Sequence, residues 1–128
     1  MNWSGKRVAV SGAGGFLGSH LAERLVRAGA EVTAIVRYNS RGDEGNLRFV
    51  EAAVREAMRV HRIEMTDIDA VRQVLRGAEV VFNLAAFVGI PYSYQNPQDT
   101  ISNNVVSTLN VLLVARESGV EKLVQTST

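Results

Sequence analysis

Apolar positions along the chain follow two alternating periods. Short β-branched runs give way to longer stretches in which apolar residues recur every three or four positions. Residues 7–10 (Arg-Val-Ala-Val) read as a buried strand that runs into the glycine-rich turn Ser11-Gly12-Ala13-Gly14-Gly15. Residues 16–28 carry Leu17, Leu21, Leu25 and Val26 at helical spacing, and Gly29 stops that helix as a C′ glycine does. A second strand is expected over 31–36, a polar loop with Gly42 and Gly45 over 38–46, a helix over 47–57 and a weaker third strand over 60–65. Asp67 is placed to cap a short helix ending at Leu75, with Gly77 closing it. Residues 79–85, built around Val80-Val81-Phe82, read as a fourth strand, followed by a loop holding Pro91 and Pro97. A long helix over 98–118 carries Ile101, Val105, Leu109, Leu112 and Leu113; Gly119 ends it, and 122–126 is a fifth strand.

Strands alternating with helices imply an α/β fold: a doubly wound parallel sheet of about five strands, covered on both faces and joined by right-handed crossovers. No repeat, low-complexity tract or linker interrupts residues 1–128, so one domain is expected. With 46% hydrophobic and 21% charged residues, the composition is that of a globular protein with a real core. A net charge of +1 argues against nucleic-acid and membrane-surface binding, which need a dense basic face. The absence of cysteine excludes disulfides, a thiolate nucleophile and cysteine zinc sites. His20 and His61 are far apart and suggest no metal site. A polar start without a signal peptide, and no stretch of membrane-spanning length, make a cytoplasmic protein the expectation.

The chemistry begins at Gly12-x-x-Gly15-x-x-Gly18, between the first strand and the first helix. In such a loop the first glycine permits the tight turn and the second lets backbone approach a pyrophosphate. The third lets the helix pack closely on the strand. The helix then aims unpaired N–H groups and a positive dipole end at the phosphates.

Ser11-Gly12-Ala13-Gly14-Gly15-Phe16-Leu17-Gly18 resembles the TGxxGFxG fingerprint of the extended short-chain dehydrogenases/reductases, which include nucleotide-sugar epimerases and 4,6-dehydratases. The resemblance spans the chain. Asp67-Ile68 matches the family's aspartate after the third strand, which holds the adenine ring. Asn83-Leu84-Ala85-Ala86 resembles the HLAA segment beside the cofactor, Asn104-Val105 the NVxGT helix motif, and Thr126-Ser127-Thr128 the TSS-type segment that ends the fifth strand. Ser107 stands where the family has glycine. Within the family, Arg37-Tyr38-Asn39-Ser40 and the 89–94 loop look most like sugar-nucleotide 4,6-dehydratases. The resemblance implies a Rossmann-type NAD(P)-binding domain with Gly12, Gly15, Phe16, Leu17, Gly18, Arg37, Asn39, Ser40, Asp67, Ile68, Leu84, Ala85, Ala86 and Asn104 at the cofactor.

NAD-specific sites end the second strand with a carboxylate that accepts from the ribose 2′-hydroxyl. Here Val36 occupies that place and Arg37 follows, an arginine able to fork onto a 2′-phosphate with Ser40 and Arg41 as helpers. The residues therefore favour NADP over NAD, although Arg37 and Arg41 also read as solvated loop charges. Catalysis in the family takes a Ser/Thr after the fifth strand, at Thr128 here, and a Tyr-x-x-x-Lys base pair. That pair does not occur: Tyr38 is followed at that distance by Gly42, Tyr92 by Asn96 and Tyr94 by Gln98. The expectation is a domain truncated after the fifth strand and inactive alone, taking a nucleotide-sugar substrate only when the missing part completes it. A non-catalytic dinucleotide sensor and one half of a split enzyme are the alternatives. Tyr92 and Tyr94 read equally well as substrate contacts and as packing aromatics. Self-association is expected through the 98–118 helix or the fifth-strand edge.

Overall fold

The computed structural model describes residues 1–127. Its five strands are β1 (Arg7–Ser11), β2 (Glu31–Arg37), β3 (Arg59–Ile63), β4 (Val80–Asn83) and β5 (Lys122–Gln125). They form one all-parallel sheet in the order β3-β2-β1-β4-β5. The chain winds outward from β1 to β3, then returns to lay β4 on the other side of β1. That reversal opens a crevice at the carboxyl ends of β1 and β4, where such sheets bind ligands. The fold is the Rossmann-type doubly wound sheet that the alternation of strands and helices predicts.

Why the central strands are apolar at nearly every position follows from the two-residue repeat of a strand. Val8 and Val10, Val32, Ala34 and Val36, and Val80 face one layer, with Ala22 and Leu25 of α1 (Phe16–Arg27), Leu47 and Val54. Ala9, Ile35 and Val81 face the other, with Val71, Val74 and Leu75 of α3 (Ile68–Leu75) and with Val111 and Val114. Asp67 caps α3 as expected, its Oδ1 accepting from the Asp69 and Ala70 N–H groups at 3.0 and 3.3 Å.

Three expected segments differ. The helix expected over 47–57 is broken: a 3₁₀ turn at Gly45–Phe49 and a short α2 (Ala52–Glu56) are separated by Val50 and Glu51 in extended backbone. The break lets Leu47 and Val54 both reach the same apolar layer. The loop expected around Pro91 and Pro97 contains α4 (Ile90–Gln95), and Pro97 opens α5 (Pro97–Ile101). Both prolines occupy a first helical turn, where the missing N–H has no intrahelical partner to lose. The long helix exists but is interrupted by a π turn at Ser102–Val106, between α5 and α6 (Ser107–Glu117).

Candidate functional site

Ser11 ends β1 and turns its hydroxyl onto β4. It donates to Asn83 Oδ1 at 2.5 Å and accepts from the N–H groups of Leu84 and Ala85, both at 3.1 Å. Asn83 continues the chain, donating from Nδ2 to Gln125 Oε1 at 2.7 Å. A buried polar relay thus locks together the tips of three adjacent strands. Ser11 and Asn83 are each 1% exposed, so the bond between them is shielded from water, while the Gln125 end of the relay lies at the surface.

The glycine turn starts directly after. Gly12 adopts a left-handed φ of 68°, and a Cβ there would stand 2.9 Å from the Leu84 carbonyl carbon. At Gly18 a Cβ would stand 2.0 Å from the Gly12 oxygen, so α1 can approach the turn only because that position is glycine. Gly15 is the helix N-cap, with no side-chain cap and no acidic residue in the first turn. The first N–H groups of α1 therefore keep their positive end for a ligand.

This turn forms one wall of a cavity of about 460 Å³, well within the range of small-molecule sites. Gly12, Gly15, Phe16, Leu17, Gly18, Arg37, Leu84, Ala85 and Ala86 of the expected cofactor residues line it. Leu17, read as part of the helix's apolar stripe, is exposed at the cavity, while Gly18, Ala22 and Leu25 carry the buried face. The cradle fits a pyrophosphate: backbone closeness that excludes any Cβ, and an uncapped helix start facing the opening.

The other expected residues stand behind the wall. Asn104 clasps the loop after β4, accepting from Phe87 N–H at 2.7 Å and donating to the Phe87 carbonyl at 3.2 Å. Asn39 shapes the loop after β2 through the Arg41 and Asp43 N–H groups and the Asp43 carbonyl. Ser40 is exposed in that loop. Asp67 and Ile68 begin α3, with the Asp67 carboxylate engaged as the cap and Ile68 packed on the second apolar layer. Thr128, the expected catalytic residue, lies outside the described residues. Tyr92 packs edge to face on Phe87 at 5.6 Å and donates its hydroxyl to Asp99, which raises its pKa; Tyr94 is exposed.

Val36 and Ser107, noted in sequence but not as cofactor contacts, are also on the cavity wall, and sequence reasoning missed Ile35, Ile63, Glu64, Met65, Phe87, Val88 and Asn103 there. Ile63 ends β3 and Glu64 and Met65 follow it, and carboxyl ends of strands are where this fold builds sites, a signal that spacing motifs do not carry. Arg37 is held on two sides. Its guanidinium carbon lies 4.2 Å from the centroid of the Phe87 ring, and its Nε is 3.9 Å from Glu64 Oε1. Among the described residues, no group of three or more His, Cys, Asp or Glu could hold a metal ion, and no helix is long and apolar enough to cross a membrane.

Nearly the whole chain matches known proteins in sequence and fold. The family model described as GDP-mannose 4,6 dehydratase matches residues 9–128. Cinnamoyl-CoA reductase 2 of Medicago truncatula is 32% identical over 120 residues, 94% of this chain and 34% of that protein. UDP-glucuronate 4-epimerase of Thermodesulfobacterium geofontis is 30% identical over 123 residues, covering 93% and 38%. Among solved structures, an epimerase from Methanothermobacter thermautotrophicus superposes with a TM-score of 0.86 at 29% identity, covering 98% of this chain and 36% of its own. The UDP-glucose 4-epimerase of Thermus thermophilus, solved as a complex with NAD, gives 0.76 at 29% identity, covering 91% and 36%. This chain spans little more than a third of the length of each. It belongs to the GDP-mannose 4,6-dehydratase family of extended short-chain dehydrogenases/reductases, of which it forms the N-terminal portion.

Proposed function

We propose that this chain holds a nicotinamide dinucleotide as the cofactor-binding domain of a nucleotide-sugar 4,6-dehydratase or epimerase, with NADP preferred over NAD. The observation that carries the reading is the glycine turn, closed to any Cβ at Gly12 and Gly18, feeding an uncapped helix start into the cavity between β1 and β4. A bound dinucleotide supplies hydride transfer. The chain's own part is to seat the pyrophosphate on the first turn of α1, to line the adenosine with Leu84, Ala85 and Met65, and to offer the Arg37 guanidinium to a 2′-phosphate. A hydride transfer at a sugar hydroxyl also needs a base for the departing proton, and no Tyr-x-x-x-Lys pair is present. Binding without turnover is therefore the proposed behaviour of the chain alone.

Calorimetric titration with NADPH and NADH tests this. Tighter binding of NADPH is expected, with the preference removed by Arg37→Ala, and added nucleotide sugar should leave the nicotinamide absorbance unchanged. Failure of either dinucleotide to bind at millimolar concentration would refute the reading. An acyl-CoA thioester as substrate is the second reading, favoured by the 32% identity to the Medicago truncatula reductase. Turnover of UDP- and GDP-sugars against acyl-CoA thioesters by a protein carrying this domain decides between them.

We also propose that two copies associate through the outer face of the α5–α6 helix. Ile101, Val105, Leu109 and Leu112 are all exposed there, and residues 100–115 contain no charged side chain. Two such faces meet without juxtaposing like charges or burying unpaired ones.

A further inference from the structure

A smaller cavity, of about 160 Å³, lies at the opposite end of the sheet, where the strands begin. Arg7 opens β1, Glu31 opens β2 and Arg59 opens β3, and the register sets Arg7 beside Glu31 and Arg59 beside Thr33. Arg7, Thr33 and Arg59 fall in step with Ala9, Ile35 and Ile63, so they stand on the sheet face that α3 covers. The turn that leaves α3 adds Arg76 and Gly77 to the same wall. Three guanidinium groups from three elements thus converge on one hollow, and Glu31 is the single carboxylate among its lining residues.

These charges are incompletely met within the chain. Arg7 commits its backbone N–H and its Nε to Glu79, at 2.9 and 3.3 Å, while its Nη1 lies where a Cβ on Gly77 would stand 3.4 Å away. Neither Nη group of Arg7 has an acceptor among the described residues. Arg59 reaches only Glu31, at 3.9 Å, too far for a hydrogen bond. Among the described residues the Arg76 side chain has no ion pair or hydrogen bond, and the half-buried Thr33 hydroxyl has no partner. The C-terminal end of α3 accounts for one nearby cation through its dipole, not for three.

We infer that this hollow binds a phosphate group, gripped by Arg7, Arg59 and Arg76 and by the Thr33 hydroxyl. Three guanidiniums against one carboxylate leave two positive charges, which match a phosphate dianion. Guanidinium forks and a hydroxyl suit its oxygens, and no aromatic side chain lines the hollow for a nucleotide base to stack on. The incoming anion replaces the long Arg59–Glu31 pair with a direct one and leaves Arg7 on Glu79. Because the site lies across the sheet from the glycine turn, it does not rest on the dinucleotide reading.

Amide NMR titration of the chain with inorganic phosphate and, separately, with glycerol 3-phosphate, at constant ionic strength, tests this. Saturable shifts are expected at Thr33, Arg59, Arg76 and Gly77 with one or both, and the tighter of the two tells free phosphate from a phosphomonoester. Arg76→Gln removes a charge whose side chain has no partner in the chain, so folding is not at stake; unchanged signals elsewhere document that. It is expected to weaken binding on the order of tenfold, the size of one charge-assisted hydrogen bond. Arg76→Lys, which keeps the charge and loses the fork, should fall between. Shifts confined to residues 12–18 would place the anion on the glycine turn and overturn the inference. So would an affinity that Arg76→Gln leaves unchanged, or a response that never saturates, since either makes the arginines ordinary solvated charges. NADPH binding, read at the other end of the sheet, is unaffected by any of these results.

Discussion

At the scale of single residues, the three motif glycines are not equivalent. A Cβ at Gly18 would stand 2.0 Å from a backbone oxygen that has nowhere to go, whereas one at Gly15 would stand 3.3 Å from the same Gly12 oxygen. Gly18→Ala is therefore expected to unseat α1 from the turn and abolish dinucleotide binding, with a fall in Tm of several degrees. Gly89→Ala, where the new methyl would meet only the Tyr92 Cβ at 3.5 Å, should leave both nearly unchanged. Thermal melts and titrations of the two variants, side by side, check this. The glycine turn is legible in sequence because its spacing is local, and Leu84 to Ala86 are reached through the family resemblance. Glu64 and Phe87 are not, because each becomes part of the cavity only when strands distant in sequence are laid side by side. Asn104 and Asn39 were legible as special positions, yet their amides shape the loops around the cavity rather than its surface.

At the scale of elements, the loop after β2 braces the glycine turn. Asn46 N–H donates to the Gly14 carbonyl at 2.8 Å, and Gly45 comes so near that a Cβ would stand 2.4 Å from that oxygen. Glu44 anchors the loop through a two-pronged bond from Arg55, at 2.7 and 2.5 Å, and another from Arg62 at 2.5 Å. The Arg55 hydrogen bonds hold the Glu44 carboxyl below its ordinary pKa, against the opposing pull of burial. A lowered carboxylate pKa gives stability that is present above the ordinary value of about 4.3 and is lost as pH falls through the folded-state value. Urea unfolding should show this: Glu44→Gln costs about 2 kcal/mol at pH 7, and the gap to the unaltered chain narrows toward pH 3. An equal gap at both pH values would remove the carboxylate from the account. The elements themselves were largely readable, since β1, β2 and β4 are buried nearly throughout and α1, α3 and α6 each bury one face, while the edge strands β3 and β5 are only partly covered. Where the reading failed, at 47–57 and around Pro91, a change of direction was imposed by tertiary contacts, or proline sat where it favours a helix rather than ending one.

At the scale of the whole molecule, two apolar surfaces set behaviour beyond the fold: the outer face of the α5–α6 helix, and the β5 edge with Val124 partly exposed. Light scattering at micromolar concentration is expected to show a species larger than the 13.9 kDa chain, and Val105→Lys with Leu109→Lys to return it to that mass. If the pair of lysines leaves the mass unchanged, the β5 edge becomes the surface to probe. The π turn at Ser102–Val106 has a different consequence, for how this helix can vary. A π turn is one residue more than an α-helix needs over the same rise, so it reads as an accommodated insertion. Within it Asn104 is committed to Phe87, and beyond it in α6 Asn110 donates to the Met65 carbonyl at 3.0 Å while α6 lies against α3. The clasp within the π turn and the seat of α6 thus each tie the helix to a fixed phase. Deleting a single residue here would smooth the helix and rotate one half by about 100°, taking either the clasp on Phe87 or the seat on α3 out of alignment. Length across this short stretch is therefore under tighter constraint than residue identity, and lineages descended from this chain should exchange its side chains more freely than they shorten it.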